Sequence, residues 1–250
     1  AAAQYHGRAG RGVPQAEFLA EARAFARDEY APALLKGAGL SAAEHDRIRD
    51  RLAYFTGLDP VYIERSDLRT LMPRFQKELL RDQGLAIGRL DGRYAGDEAD
   101  DVAERPDGDA ASYFVSSAYS ALMNQYLIDE LKVKMDRPYI TSSDEVGEGW
   151  RFGPEDGSGE PHYVNAARQL TTAMRRNTAL EVWVANGYYD MITPFFDAEI
   201  TFARYGIPQD RVTMSYYPAG HMMYLHQPSL EAVAADMRAF LRGELEDARP

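Results

Sequence analysis

Leu180-Glu181-Val182-Trp183-Val184-Ala185-Asn186-Gly187-Tyr188-Tyr189-Asp190 opens the most regular part of the chain. The run Leu180 to Ala185 is short, apolar and β-prone, and Asn186-Gly187 behind it supplies a turn. Thr193-Pro194 then caps a helix that carries Phe195, Ala198 and Phe202 and stops at Gly206. Val212, Met214 and Tyr216 alternate in a second strand ending at Pro218-Ala219-Gly220, and Ser229 caps a final helix whose Leu230, Val233, Ala234, Met237 and Leu241 share one face. Strand, helix, strand, helix predicts parallel strands joined by helical crossovers, an α/β arrangement.

In open parallel sheets functional side chains gather just past the carboxyl ends of the strands. Asp190 follows the first strand and His221 the second, so both fall on one edge of the sheet. A carboxylate that accepts the imidazole Nδ1–H fixes the tautomer and leaves Nε2 free to take a proton from a nucleophile. Each residue alone has a plain structural use, Asp190 in the turn before the helix and His221 in a loop; their order and placement together predict a catalytic pair. His226, just before a helix, is expected to pack or hydrogen-bond. No H-E-x-x-H spacing joins any of the five histidines, so a zinc protease is not expected.

Such a pair needs a nucleophile, and the G-x-S-x-G elbow of the α/β-hydrolases is absent. Gly157-Ser158-Gly159 lies in a polar stretch with no strand before it, and Ser116-Ser117 and Ser142-Ser143 lack flanking glycines. No P-loop or G-x-G-x-x-G motif occurs either, and no cofactor is expected.

Upstream, Phe18, Ala22, Phe25 and Ala26 recur at helical spacing within Gln15–Lys36. Ser41-Ala42-Ala43-Glu44 is a capping box that opens a helix with Ile48, Leu52 and Phe55 on one face and Gly57 at its end. Asp59-Pro60 starts another helix, and a third, around Arg74 to Arg81, stops at Gly84. Gly88 to Gly108 reads as a solvated loop; its cluster Asp97, Glu98, Asp100 and Asp101 lacks EF-hand spacing, which leaves a calcium site the weaker alternative. Ala111 to Lys134 is helical, and its stripe of Tyr119, Leu122, Met123, Tyr126, Leu127 and Leu131 is expected in the core. A surface loop is expected over Gly147 to Pro161, before a helix from Val164 to Arg176.

Composition narrows the function. Of 250 residues 45% are hydrophobic, enough for a core without staples, and there is no cysteine, which removes thiolate chemistry and thiolate metal sites. The formal charge of −11 argues against nucleic acid as a partner. No apolar run is long enough to span a membrane, so a soluble protein is expected.

The blocks Val182 to Phe195 and Met214 to Tyr224 resemble bacterial members of the serine carboxypeptidase family, peptidase family S10, which have the α/β-hydrolase fold. Tyr62 to Arg69 and Phe75 to Arg93, with Gly88-Arg89-Leu90-Asp91, resemble the helical insertion of that branch. The resemblance implies that Asp190 and His221 are triad members, that Met222 lines the leaving-group side, and that a serine acts on a peptide or ester substrate. It implies a mainly helical cap over 1–110, the C-terminal part of the hydrolase core over 111–250, and early strands and a serine elbow carried by a missing N-terminal half or partner chain. The isolated chain is then expected to be inactive. An esterase or acyltransferase of the same fold, or a non-catalytic binding module, are the alternatives. A periplasmic or secreted bacterial location accords with the resemblance, the compartment itself staying open. Gly187-Tyr188-Tyr189-Asp190 departs from the Gly-Asp-x-Asp of many eukaryotic members, which are disulfide-rich.

Overall fold

A computed structural model of the chain describes residues 1–151 and 165–249. Ser158, His162 and most of the loop expected over Gly147 to Pro161 lie outside the described residues. The fold is a mixture of helices and two two-stranded sheets, α/β in the general sense. Two compact units are present, one of 1–112, 182–199 and 212–250, the other of 113–181 and 200–211. Among the described residues no helix is long and apolar enough to cross a membrane.

The first unit begins with the short helix α1 (Ala2–Tyr5) and continues in α2 (Gln15–Phe25), a π-helical turn at Ala26–Tyr30, and α3 (Ala31–Lys36). The helical spacing read over Gln15–Lys36 is therefore continuous, widened once where Pro32 brings neither an amide proton nor room for the preceding turn. In α4 (Ala42–Thr56) Ser41 and Glu44 close the reciprocal cap, and Gly57 ends the helix at φ 70°, where glycine has no Cβ penalty. Asp59 caps α5 (Pro60–Arg65) by accepting from Val61 N at 2.7 Å. Next comes α6 (Met72–Glu78), followed by a 3-10 turn and left-handed Gly84. Phe18, Phe25, Ile48, Ile63 and Ile87 fill the core between these elements, where burial of each contributes about 1.5–3 kcal/mol.

Ser41→Ala is expected to lower stability by about 1 kcal/mol in urea unfolding, the usual worth of a helix cap. Lys36 and the Ser41 amide hold the Glu44 carboxyl down from 4.5 to about 2. Stabilisation from that pairing is therefore complete above pH 4.5 and fades as pH falls through about 2, and the variant should show less of this acid dependence.

The segment read as solvated is structured. β1 (Leu85–Ile87) pairs antiparallel with β2 (Ala95–Asp97), and the turn between them buries Asp91 and Gly92. Glu98 is not a solvated charge: its carboxylate meets Lys77 Nζ at 2.5 Å with both side chains buried. Burial of that ammonium is tolerable only because it is paired.

α7 (Ala110–Tyr113) comes next in the chain, and the other unit holds α8 (Ser116–Asp129), α9 (Asp144–Gly149) and α10 (Ala167–Arg176). The stripe expected in the core is not there: Tyr119, Leu122, Tyr126 and Leu131 are each at least half exposed. Helical spacing states that a face is apolar and does not state what covers it, and Ile128 on another face of α8 is exposed too. Arg211 closes α10 by donating to Met174 O, one of the last-turn carbonyls a helix end leaves unpaired, and to the carbonyls of Asn177 and Leu180 beyond it.

β3 (Val182–Gly187) and β4 (Val212–Tyr217) pair in parallel with Val182 opposite Val212 and Gly187 opposite Tyr217. Between them runs α11 (Phe195–Arg204), as the sequence order requires. Glu199 of α11 takes both Arg23 of α2 and the Tyr216 hydroxyl of β4, while Arg23 lies over the Phe195 ring at 4.7 Å. Burial, reinforced by that carboxylate, raises the Tyr216 pKa. The last helix, α12 (Gln227–Leu241), starts earlier than predicted. His226 is its N-cap position, and Ser229 sits buried within its first turn, bonded to His226 Nδ1 at 2.7 Å. Pro228 explains the shift, because proline is favoured at the first helical positions. Leu230, Met237 and Leu241 of its apolar face are exposed, while Phe240 meets the Trp183 ring.

The two edges of the β3–β4 sheet differ. On β4, Met214 N donates to Asp247 Oδ1, Ala248 N donates to Met214 O, and Arg249 Nη2 reaches Val212 O. On β3, the bond from Tyr188 N to Tyr217 O fixes which residues face β4; Trp183 and Ala185 point their main-chain groups the other way, with no partner among the described residues.

Candidate active site

The pairing of the two strands continues past their ends. Tyr188 N donates to Tyr217 O and Tyr189 N to Ala219 O, each at 3.0 Å, so the two following turns stay side by side. Asp190 N closes the first turn on Gly187 O at 3.3 Å. The Asp190 carboxylate then works in two directions. Oδ1 accepts from the amides of Ile192 at 2.8 Å and Thr193 at 3.0 Å, the local bonding for which aspartate is favoured in turns. Oδ2 accepts from Thr193 Oγ1 at 2.7 Å and faces His221 Nδ1 at 2.9 Å.

The bonding assigns the imidazole tautomer. Thr193 Oγ1 spends its proton on Asp190 and presents only lone pairs to His221 Nδ1, 3.3 Å away, so both neighbours of Nδ1 are acceptors. Nδ1 therefore carries a hydrogen, and in the neutral ring Nε2 holds the lone pair. No hydrogen bond reaches Nε2 among the described residues. Asp190 is buried at 7% exposure and the His221 side chain is 39% exposed, so the carboxylate is shielded and the imidazole is partly open.

Both predicted residues are thus brought together. Met222, expected on the leaving-group side, adjoins His221 half-buried and precedes the 3-10 turn Met223–Leu225. Thr193, expected to cap the helix, instead turns its hydroxyl to the carboxylate and the imidazole as a third member of the network. Its signal was present, since a hydroxyl close behind an aspartate in a turn is within reach of that carboxylate. His226 spends its Nδ1 on Ser229, and His6 Nε2 bonds Gly92 O at 2.8 Å.

One other group merits the metal question. His45, Asp46 and Glu64 bring ligand atoms within 4.8 Å of one another. Arg49 already donates to Asp46 at 2.7 Å and approaches Glu64 at 3.5 Å, so a cation there would meet a guanidinium.

No family model matches the chain, and neither a curated protein nor a solved structure matches it.

Proposed function

We propose that this chain supplies the acid–base half of a serine-type hydrolase, carboxypeptidase-like in its action on a peptide or ester, with the serine contributed by residues beyond these 250. The observation that carries the reading is the Asp190 Oδ2 to His221 Nδ1 bond of 2.9 Å with Nε2 left open toward solvent. In the proposed cycle a serine attacks the carbonyl as Nε2 accepts its proton, Asp190 stabilises the imidazolium, and His221 returns the proton to the leaving group; water then completes hydrolysis. Preference for peptide over ester comes from the family resemblance alone.

The sheet edges support the wider α/β-hydrolase reading. β4 is sealed by Asp247 to Arg249, whereas Trp183 and Ala185 of β3 offer main-chain groups to a further strand. A parallel strand added there would carry its C-terminal turn to the edge where His221 stands.

A fluorophosphonate probe tests where the nucleophile lies. The isolated chain is expected to stay unlabelled, and the complete gene product to be labelled on a serine outside residues 1–250. Labelling of any serine of this chain, Ser158 included, would falsify the external nucleophile, and no labelling of the gene product would remove the serine mechanism. That last outcome would favour the non-catalytic binding module, for which the exposed Tyr119, Leu122 and Tyr126 of α8 are the supporting observation.

A further inference from the structure

We propose that the loop Gly88–Arg93 positions the Asp190–His221 pair, its main chain gripping both turns while Asp91 and Arg93 act as positioning residues that hold the loop in shape. The inference rests on reading the pair as an acid–base dyad.

Backbone bonding between the two strand ends stops with Tyr189 N to Ala219 O, one residue short of Asp190 and two short of His221, so the ladder brings the turns together without holding the two residues themselves. The loop adds that hold. Gly92 N donates to Tyr189 O at 2.9 Å and Met191 N donates to Arg89 O at 3.2 Å, so Asp190 is held on both sides. His221 N donates to Leu90 O at 2.7 Å, which ties the base to the same short segment. These bonds use main-chain atoms of Arg89, Leu90 and Gly92, within four residues of chain whose spacing covalent geometry restricts.

The loop is itself braced. Asp109 accepts from the amides of Arg89 at 2.9 Å and Leu90 at 3.0 Å. The Arg93 guanidinium forks onto both oxygens of buried Asp91. Its Nη1 donates to Pro218 O at 2.8 Å, and its plane lies over the Tyr189 ring at 4.9 Å. Arg93 thus touches the approach to His221 and the approach to Asp190 at once. Packing leaves little slack: a Cβ on Gly220 would collide with Leu90 O and the Asp91 side chain. A lysine at 93 would keep the charge but could not reproduce the planar fork. Small displacements matter, since hydrogen bonds weaken steeply with misalignment and catalytic geometry tolerates little error.

Nitrogen-15 NMR of histidine-labelled protein separates positioning from mere support. The wild-type protein is expected to show His221 as the Nδ1–H tautomer with a low-field Nδ1–H resonance, and Asp190→Asn to abolish it. Arg93→Lys and Gly220→Ala are expected to lose or broaden that resonance and shift the ring toward Nε2–H while the dispersed amide spectrum persists. If Arg93→Lys does not fold, Asp109→Asn loosens the loop from its other side and is read in the same way. Folded variants that keep the resonance with only a lower Tm would overturn the positioning role and leave the dyad standing. A wild-type protein without the Nδ1–H tautomer would overturn the dyad and this inference with it.

Discussion

In the complete gene product, His221→Ala is expected to lower turnover of an N-blocked dipeptide or a p-nitrophenyl ester roughly 10⁶-fold, as loss of the base does in a subtilisin-type enzyme. That corresponds to about 8 kcal/mol of lost transition-state stabilisation. The size follows from the division of labour in the site. Asp190 is buried and already engaged by Ile192, Thr193 and His221, so no other group of the pair can take up the proton from the attacking hydroxyl. The change should leave the fold intact. His221 is anchored through its backbone amide to Leu90 O, a bond that alanine keeps, and its side chain is partly exposed. Melting of the variant should therefore track the parent closely, with KM little altered, because in the proposed cycle the imidazole acts on the proton and not on substrate binding. Initial-rate kinetics beside a thermal melt check both halves; a loss below tenfold in a folded variant would show that the imidazole is not the base.

What could be read from the residues alone divides by range. Ser41 with Glu44, Asp59 with Pro60 and Gly57 act within a few residues of themselves, so their caps were legible. The parallel pairing of β3 with β4 was legible because a helix must intervene between such strands, and the same argument put Asp190 and His221 on one edge. The β1–β2 hairpin was not, because strands as short as Leu85–Ile87 and Ala95–Asp97 carry too few alternations, and Ala95-Gly96-Asp97 is a poor strand former. Glu98 reads as a solvated charge within its acidic cluster, and only its meeting with Lys77 makes the burial of both tolerable. The grip of Arg89, Leu90 and Gly92 on the two turns is made of main-chain atoms, which every residue type shares, so no side-chain pattern announces it. The exposed stripe of α8 failed for the opposite reason: its pattern is clear, and its cover is a tertiary matter.

Asp190→Asn is expected to cost about 10⁴ in kcat, the magnitude that loss of the orienting carboxylate has in a trypsin-like triad. The neighbours of Asp190 decide how the new amide sits. At the Oδ1 position two amide protons converge from Ile192 and Thr193, so the asparagine must place its carbonyl oxygen there and its NH₂ where Oδ2 was. That NH₂ is a donor aimed at His221 Nδ1, which can then only accept. The ring hydrogen moves to Nε2, and the atom that should receive the serine proton already carries one. Thr193 Oγ1 can rotate its hydrogen away and accept from the same NH₂, so no buried polar group is orphaned and the turn persists. A large catalytic loss should therefore come with a small change in Tm. The loss should shrink as pH rises far enough for hydroxide to bypass the base, whereas the His221→Ala and Asp190→Asn double variant should be little worse than His221→Ala alone, because the carboxylate acts only through the ring. A double variant far slower than His221→Ala would mean that Asp190 contributes by a route that does not pass through His221.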